Sequence, residues 1–216
     1  TIASAKAALK KSVRLTFKNH DVRFNALLDA AFKEIRVPKP DVKVYSEELI
    51  TESDAKQLIS RLPDKLALIV ETLLATGLRI SELLNVRRSD CRKEKQGDTT
   101  YIFVRVIGKG SKERRVVLTQ ELFERIISTF KGNDFLFVNR SGRKLSRFYV
   151  ARAVREYGMR ILGKHIHPHS FRHSFANTWI QKKDAHAVAS YLGHASPATT
   201  LEMYVHTTIS PEELFA

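Results

Sequence analysis

The stretch from His167 to Tyr204 holds most of the side chains that can do chemistry. His169 and Arg172 lie three residues apart, Leu192-Gly193-His194 follows, and Tyr204 comes ten residues after His194. A phenol, two imidazoles and a guanidinium suit phosphoryl transfer. That reaction needs a nucleophile, proton carriers and fixed positive charge against the charge that develops. Free tyrosine ionises near pH ~10, so the phenol needs help to lose its proton, and imidazole titrates close enough to neutrality to accept it. Alone, an H-x-x-R pair is a weak signal, because a capping histidine and a surface ion pair explain it more readily.

Other segments supply matching groups. In Ala75-Thr76-Gly77-Leu78-Arg79-Ile80-Ser81-Glu82, a second arginine follows a glycine suited to ending a helix. Glu82, one turn on, either orients Arg79 or is a surface acid. Gly108-Lys109-Gly110-Ser111-Lys112-Glu113-Arg114 offers lysines in turn chemistry.

These groups must be held by surrounding elements. Pro168 favours a helix start. Phe171, Phe175 and Trp179 repeat at i, i+4, i+8 as its apolar stripe, leaving His169 and Arg172 off that stripe near the N-terminal end, where phosphate is attracted. Upstream, Thr51 with Asp54 reads as a capping box for a helix over about 52–62. Pro63 opens the next helix, which ends at Thr76-Gly77, and a short one covers about 79–86. Thr99–Ile107, rich in β-branched and aromatic residues, pairs through the Gly108–Ser111 turn with a strand over 115–118, carrying Lys109 near the hairpin tip. Thr119 caps a helix to about Phe130, 135–138 reads as a third short strand, and 146–162 is helical. Residues 2–17 and a segment capped by Asp21 form two further helices. Val37-Pro38-Lys39-Pro40 then breaks the pattern, placing a linker over about 37–45. Forty residues are too few for their own core.

The chain has 216 residues, 43% hydrophobic, which suffices for a core. Its net charge of +14 points to a polyanionic partner. No apolar run approaches ~18 residues and no signal peptide is present, so a membrane partner is not expected. The lone Cys91 excludes an internal disulfide and suits a reducing compartment. Lys112, Arg114, Arg115, Arg140, Arg143, Lys144, Arg147 and Arg152 are candidates for backbone contacts to nucleic acid, with a solvated charged face as the alternative for each. His173, Trp179 and Met203 read as structural.

Four blocks together resemble the tyrosine recombinase (phage integrase) family: TGLRISELLNV at 76–86, GKGSKERRVVL at 108–118, HPHSFRHSFA at 167–176 and YLGHASPATTLEMY at 191–204. They occur in the family's order and span about residues 43–210. The resemblance implies a mainly α catalytic domain with a small antiparallel β-sheet at 43–216. It would be preceded at 1–42 by a helical remnant of an N-terminal DNA-binding domain. It implies that Arg79 and Arg172 clamp the scissile phosphate, that Lys109 (with Lys112 as the alternative) is the general acid, and that His169 and His194 assist. Tyr204 is then the nucleophile, forming a 3′-phosphotyrosyl link without metal, ATP or other cofactor. Expected partners are double-stranded DNA bearing a recombination site and three further copies of the chain in a synaptic tetramer. The expected setting is the nucleoid-associated cytoplasm of a prokaryote, or of a host carrying a mobile element.

Three competing readings remain at this point. His165-Ile166-His167 with a downstream tyrosine superficially resembles metal-dependent nickases, which need both imidazoles on a strand. A type IB topoisomerase shares the active-site logic but relaxes supercoils. A DNA-binding module that no longer cuts would need no complete catalytic set.

Overall fold

The computed structural model describes residues 2–16, 22–34, 49–108, 113–183 and 185–193. The linker over 37–45, the Asp21 cap, Lys109, Lys112, His194, Met203 and Tyr204 lie outside the described residues. The chain divides into two units, Thr1–Tyr45 and Ser46–Ala216. The first holds helices α1 (Ile2–Thr16) and α2 (Val22–Glu34), joined by an ion pair between Lys10 and Asp29 at 2.7 Å.

The second unit begins with α3 (Glu52–Arg61). Thr51 Oγ1 accepts from Asp54 N at 3.1 Å while Asp54 Oδ2 accepts from Thr51 N at 2.9 Å, so the capping box expected from sequence forms. Helix α4 (Asp64–Thr76) is the central element. Leu66, Ala67, Leu68, Ile69, Val70, Thr72 and Leu73 are all buried, so it is covered on nearly every side. Helix α5 (Ile80–Asn85) follows at once.

Strands β1 (Cys91–Gln96), β2 (Thr99–Ile107) and β3 (Glu113–Thr119) form an antiparallel sheet in the order β1-β2-β3. Ile102 opposes Leu118, Val104 opposes Val116, and Val106 opposes Arg114. The inner face is therefore apolar until its last position, where an arginine stands. The third strand is not the expected 135–138. Phe135 and Val138 form only isolated bridges, with Arg87 and Lys144. β1 takes that place, although its sequence CRKEKQ lacks apolar alternation, because an edge strand open to water needs few buried side chains.

Helix α6 (Gln120–Phe130) starts where Thr119 Oγ1 accepts from Leu122 N, as expected. Helices α7 (Arg147–Leu162), α8 (Pro168–Ile180) and α9 (Ala185–Leu192) complete the described elements. The core joins α3–α8 and the sheet through Leu58, Ile69, Leu73, Leu83, Val104, Ile126, Val150 and Phe171. A smaller cluster of Phe175, Trp179, Val188 and Leu192 packs α8 against α9. Mainly helical architecture with one small antiparallel sheet matches the expected fold class. His165-Ile166-His167 runs between α7 and α8 outside any strand, with Ile166 buried, so the strand-borne imidazole pair of a metal-dependent nickase is not formed. Among the described residues no helix is long and apolar enough to cross a membrane.

Candidate active site

Helix α4 ends at Gly77, whose φ of 61° is left-handed and suits glycine. Space demands glycine as well. A Cβ here would lie 2.6 Å from Leu192 Cδ2 and 2.8 Å from Phe175 Cδ1. The end of α4 thus sits directly against α8 and α9.

Arg172 exploits that closeness. Its Nη1 donates to Gly77 O at 2.8 Å and its Nη2 donates to Leu192 O at 2.7 Å. One guanidinium thereby bonds the ends of α4 and α9 while riding on α8. The side chain is buried, and no carboxylate neutralises it directly among the described residues. Burial lowers its pKa to about 10. The positive charges of Arg79 and Arg114 act in the same direction, and Glu82 opposes them. At neutral pH it remains a cation.

Arg79 lies two residues beyond Gly77, at the start of α5. Glu82 holds it twice: Oε2 accepts from the Arg79 backbone N at 2.8 Å, and Oε1 accepts from Arg79 Nη1 at 2.9 Å. Of the two sequence readings of Glu82, the orienting one holds, and the carboxylate is buried rather than a surface acid. Arg114 reaches the same carboxylate from β3, donating Nη1 to Oε1 at 3.1 Å and Nη2 to Oε2 at 2.8 Å. Burial raises the pKa of Glu82, but the bonds from Arg114 and Arg79 outweigh it and hold the group below the usual carboxylate range. Two guanidiniums bond one carboxylate, and the buried Arg172 adds a third positive charge that interacts with it only through space, so two positive charges are left over. That surplus invites an anion.

His169 stands on the first turn of α8, its ring 6.2 Å from that of His167. It is open to solvent on one side, yet its pKa is lowered. Crowding by the protein contributes most, followed by repulsion from His167, His173, Arg172 and Arg79. A neutral imidazole at neutral pH is a competent proton acceptor.

Tyr191 and Cys91 are structural. Tyr191 stacks on Phe175 with centroids 5.6 Å apart and its hydroxyl accepts from Val117 N at 3.4 Å; burial pushes the phenol up to about 12. Burial also pushes the Cys91 thiol up to about 12, which suits an inert residue.

The candidate nucleic-acid contacts divide. Arg140 and Arg143 are exposed in the turn before α7, which Asn139 Oδ1 braces by accepting from Ser141 N and Arg143 N. Lys144 donates to Asn85 Oδ1 at 2.7 Å, Arg147 lies over the exposed Phe148 ring, and Arg152 pairs with Glu156. Arg115 is exposed beside Glu94 on the outer sheet face. Arg114 departs from the expectation. It is an interior partner of Glu82 with little surface, because strand alternation turns it inward while its neighbour Arg115 turns out. The sequence reading left Glu82 open between two roles and placed Arg114 among the surface cations, so their pairing is what it did not foresee. Their signal is tertiary, since the two lie 32 residues apart.

The profile of the phage integrase family matches residues 48–210. Tyrosine recombinase XerA of Pyrococcus furiosus is 33% identical over 95% of this chain and 77% of its own length. Tyrosine recombinase XerD of Staphylococcus haemolyticus is also 33% identical, over 65% of this chain and 49% of its own length. Among solved structures, XerH recombinase in a post-cleavage complex with palindromic difH substrate aligns with a TM-score of 0.59 and 25% identity, covering 70% of this chain and 47% of that one. Crystalline XerA recombinase aligns with a TM-score of 0.57 at 24% identity, covering 89% of this chain and 74% of that one, a likeness of fold. The chain thus spans about three quarters of the XerA sequence and about half of the XerD sequence. With a family profile covering most of the chain and a relative of this identity along nearly its full length, the chain belongs to the phage integrase family of tyrosine recombinases.

Proposed function

We propose that this chain is a site-specific DNA recombinase that cuts and rejoins strands through a 3′-phosphotyrosyl intermediate. The observation that carries the reading is the pair of guanidiniums of Arg79 and Arg114 on the single buried carboxylate of Glu82, with the buried Arg172 and the imidazole of His169 near enough to act on them through space. A phosphodiester is the dianionic-going species that such a cluster stabilises as charge develops.

In this reading Tyr204 Oη attacks the phosphorus held by Arg79 and Arg172. The phenolic proton passes to His169, and the bond to the 5′-oxygen breaks. Lys109 gives that oxygen a proton, and His194 contacts the phosphate. The products are a 3′-phosphotyrosyl ester and a free 5′-hydroxyl. The ester conserves the free energy of the diester, so a second 5′-hydroxyl reverses the step without ATP. Two such exchanges through a Holliday junction recombine two duplexes, in a tetramer of chains. Arg115, Arg140, Arg143, Lys144, Arg147 and Arg152, with Lys112, supply backbone contacts, and the helices before residue 43 add to the grip on DNA. The net charge of +14 supports a DNA partner.

Covalent capture tests the proposal. A nicked duplex pool with a randomised core is incubated with the chain, and adducts stable to denaturant are recovered. Adducts should form with wild type in the presence of EDTA and vanish with Tyr204→Phe, which should still shift the recovered duplexes. Adducts with the phenylalanine variant would place the nucleophile elsewhere. Relaxation of supercoils without strand exchange between two recovered sites would favour a topoisomerase.

A further inference from the structure

We propose that Arg114 is a positioning residue for the anion site, fixing the Arg79 guanidinium through Glu82 and tying it to the turn that leads into His194. The inference rests on the recombinase reading for its meaning in catalysis, but its geometry stands on this chain alone.

Glu82 is saturated by four donors: the backbone N and Nη1 of Arg79, and Nη1 and Nη2 of Arg114. Arg79 contributes one side-chain nitrogen to this arrangement, and Arg114 contributes a bidentate fork. A fork leaves the carboxylate no freedom to rotate, so the oxygen that faces Arg79 stays in place. Among the described residues no further hydrogen bond engages the remaining side-chain donors of Arg79, which a ligand can therefore take. The charged groups facing Glu82 among the described residues are Arg79 at the head of its own helix, Arg114 from β3 and Arg172 from α8. Arg114 is the one among them that makes two side-chain bonds to it.

Arg114 also has a second contact. Gly193 follows α9 with φ of 66°, and a Cβ on it would lie 3.1 Å from Arg114 Cδ and 3.2 Å from Nη1. The backbone of that turn rests on the Arg114 side chain, and the next residue in the chain is His194. The Arg114 Nε is buried beside it without a hydrogen-bond partner among the described residues. Arg114 belongs to β3. One side chain therefore touches both the carboxylate behind Arg79 and the turn at Gly193.

The role separates from mere stabilisation by its pH signature. With the fork removed, burial of Glu82 remains but its main counter-bond is gone, so its carboxyl must protonate at higher pH. A protonated Glu82 releases Arg79. The experiment compares the wild-type chain, Arg114→Lys and Arg114→Gln. Carbon-13 NMR follows the Glu82 carboxyl through a pH titration. Nitrogen-15 NMR follows the Arg79 guanidinium, whose nitrogens are resolved when rotation is held. Adduct formation is timed against pH on a nicked duplex recovered by the wild-type chain. In Arg114→Gln the Glu82 midpoint should rise by a pH unit or more, and the Arg79 signals should average. The acid limb of the adduct rate should move up by a similar amount, while duplex affinity changes less than threefold. Arg114→Lys should fall between, and it carries the test if the glutamine variant does not fold. An unmoved Glu82 midpoint, Arg79 signals resolved as in wild type, or a rate lowered by one factor at every pH would overturn the proposal. If wild type forms no adduct on any duplex, the cleavage reading fails, and the two NMR titrations still decide whether Arg114 positions Arg79.

Discussion

Arg172 Nη1 donates to the carbonyl oxygen of Gly77 across 2.8 Å, bridging residues 95 apart in the chain. This contact sets one guanidinium beside the start of α5, where Arg79 begins. A cation ordered by buried backbone carbonyls is preorganised, so an incoming anion does not have to order it.

Replacing Arg172 with alanine should therefore act twice. Two buried carbonyls lose their donor, which costs about 1–3 kcal/mol of stability each at most. Loss of the preorganised charge should cost about 3 kcal/mol of transition-state stabilisation, or roughly a hundredfold in rate. Urea unfolding and adduct kinetics, run on Arg172→Ala and Arg172→Lys, separate the two effects. Lysine should recover part of the stability but little of the rate, because it lacks the fork.

Gly77→Ala should destabilise by about 2–4 kcal/mol, combining the left-handed backbone with overpacking. The Cβ would meet Leu192 and Phe175 at distances no relaxed contact allows. Thermal unfolding should show the loss, and Gly97→Ala is the control, since that glycine is also left-handed but has open space around it.

His169 should titrate below its ordinary 6.5. A histidine with a depressed folded pKa binds fewer protons than the unfolded chain between the two values. Stability therefore holds above pH 6.5 and falls as pH drops through the folded midpoint. Proton NMR of the ring gives that midpoint directly. His169→Gln should remove its share of the acid destabilisation and slow adduct formation at neutral pH.

Phe171→Ala should cost about 3–5 kcal/mol, lowering the unfolding temperature on the order of 10 °C. The ring is fully buried one residue before Arg172. Differential scanning calorimetry measures the shift, and Phe148→Ala, at an exposed ring, should change it little.

Helices α1–α8, the β2–β3 pair and the caps at Thr51 and Thr119 were legible in the sequence because local signals carried them, whereas α9 (Ala185–Leu192) was not read from it. Thr51, Thr119, Gly77 and Pro168 act within one turn of their own position. The strand β1 was not legible, because an edge strand of charged residues has no alternation to read. Arg79 and Arg172 were picked out as candidates through their blocks, and the structure brings both to the end of α4. Lys109, His194 and Tyr204 were picked out in the same way and lie outside the described residues.

What the sequence determined by itself is local and compositional: periodicity, capping, turn residues, the excess of positive charge and the family blocks. Tertiary structure alone decided which cations share a carboxylate. Nothing near Arg114 in the chain distinguishes it from Arg115, since both sit in one basic run. Strand alternation and sheet register turned one inward onto Glu82 and left the other in solvent, and those depend on residues that meet only after folding.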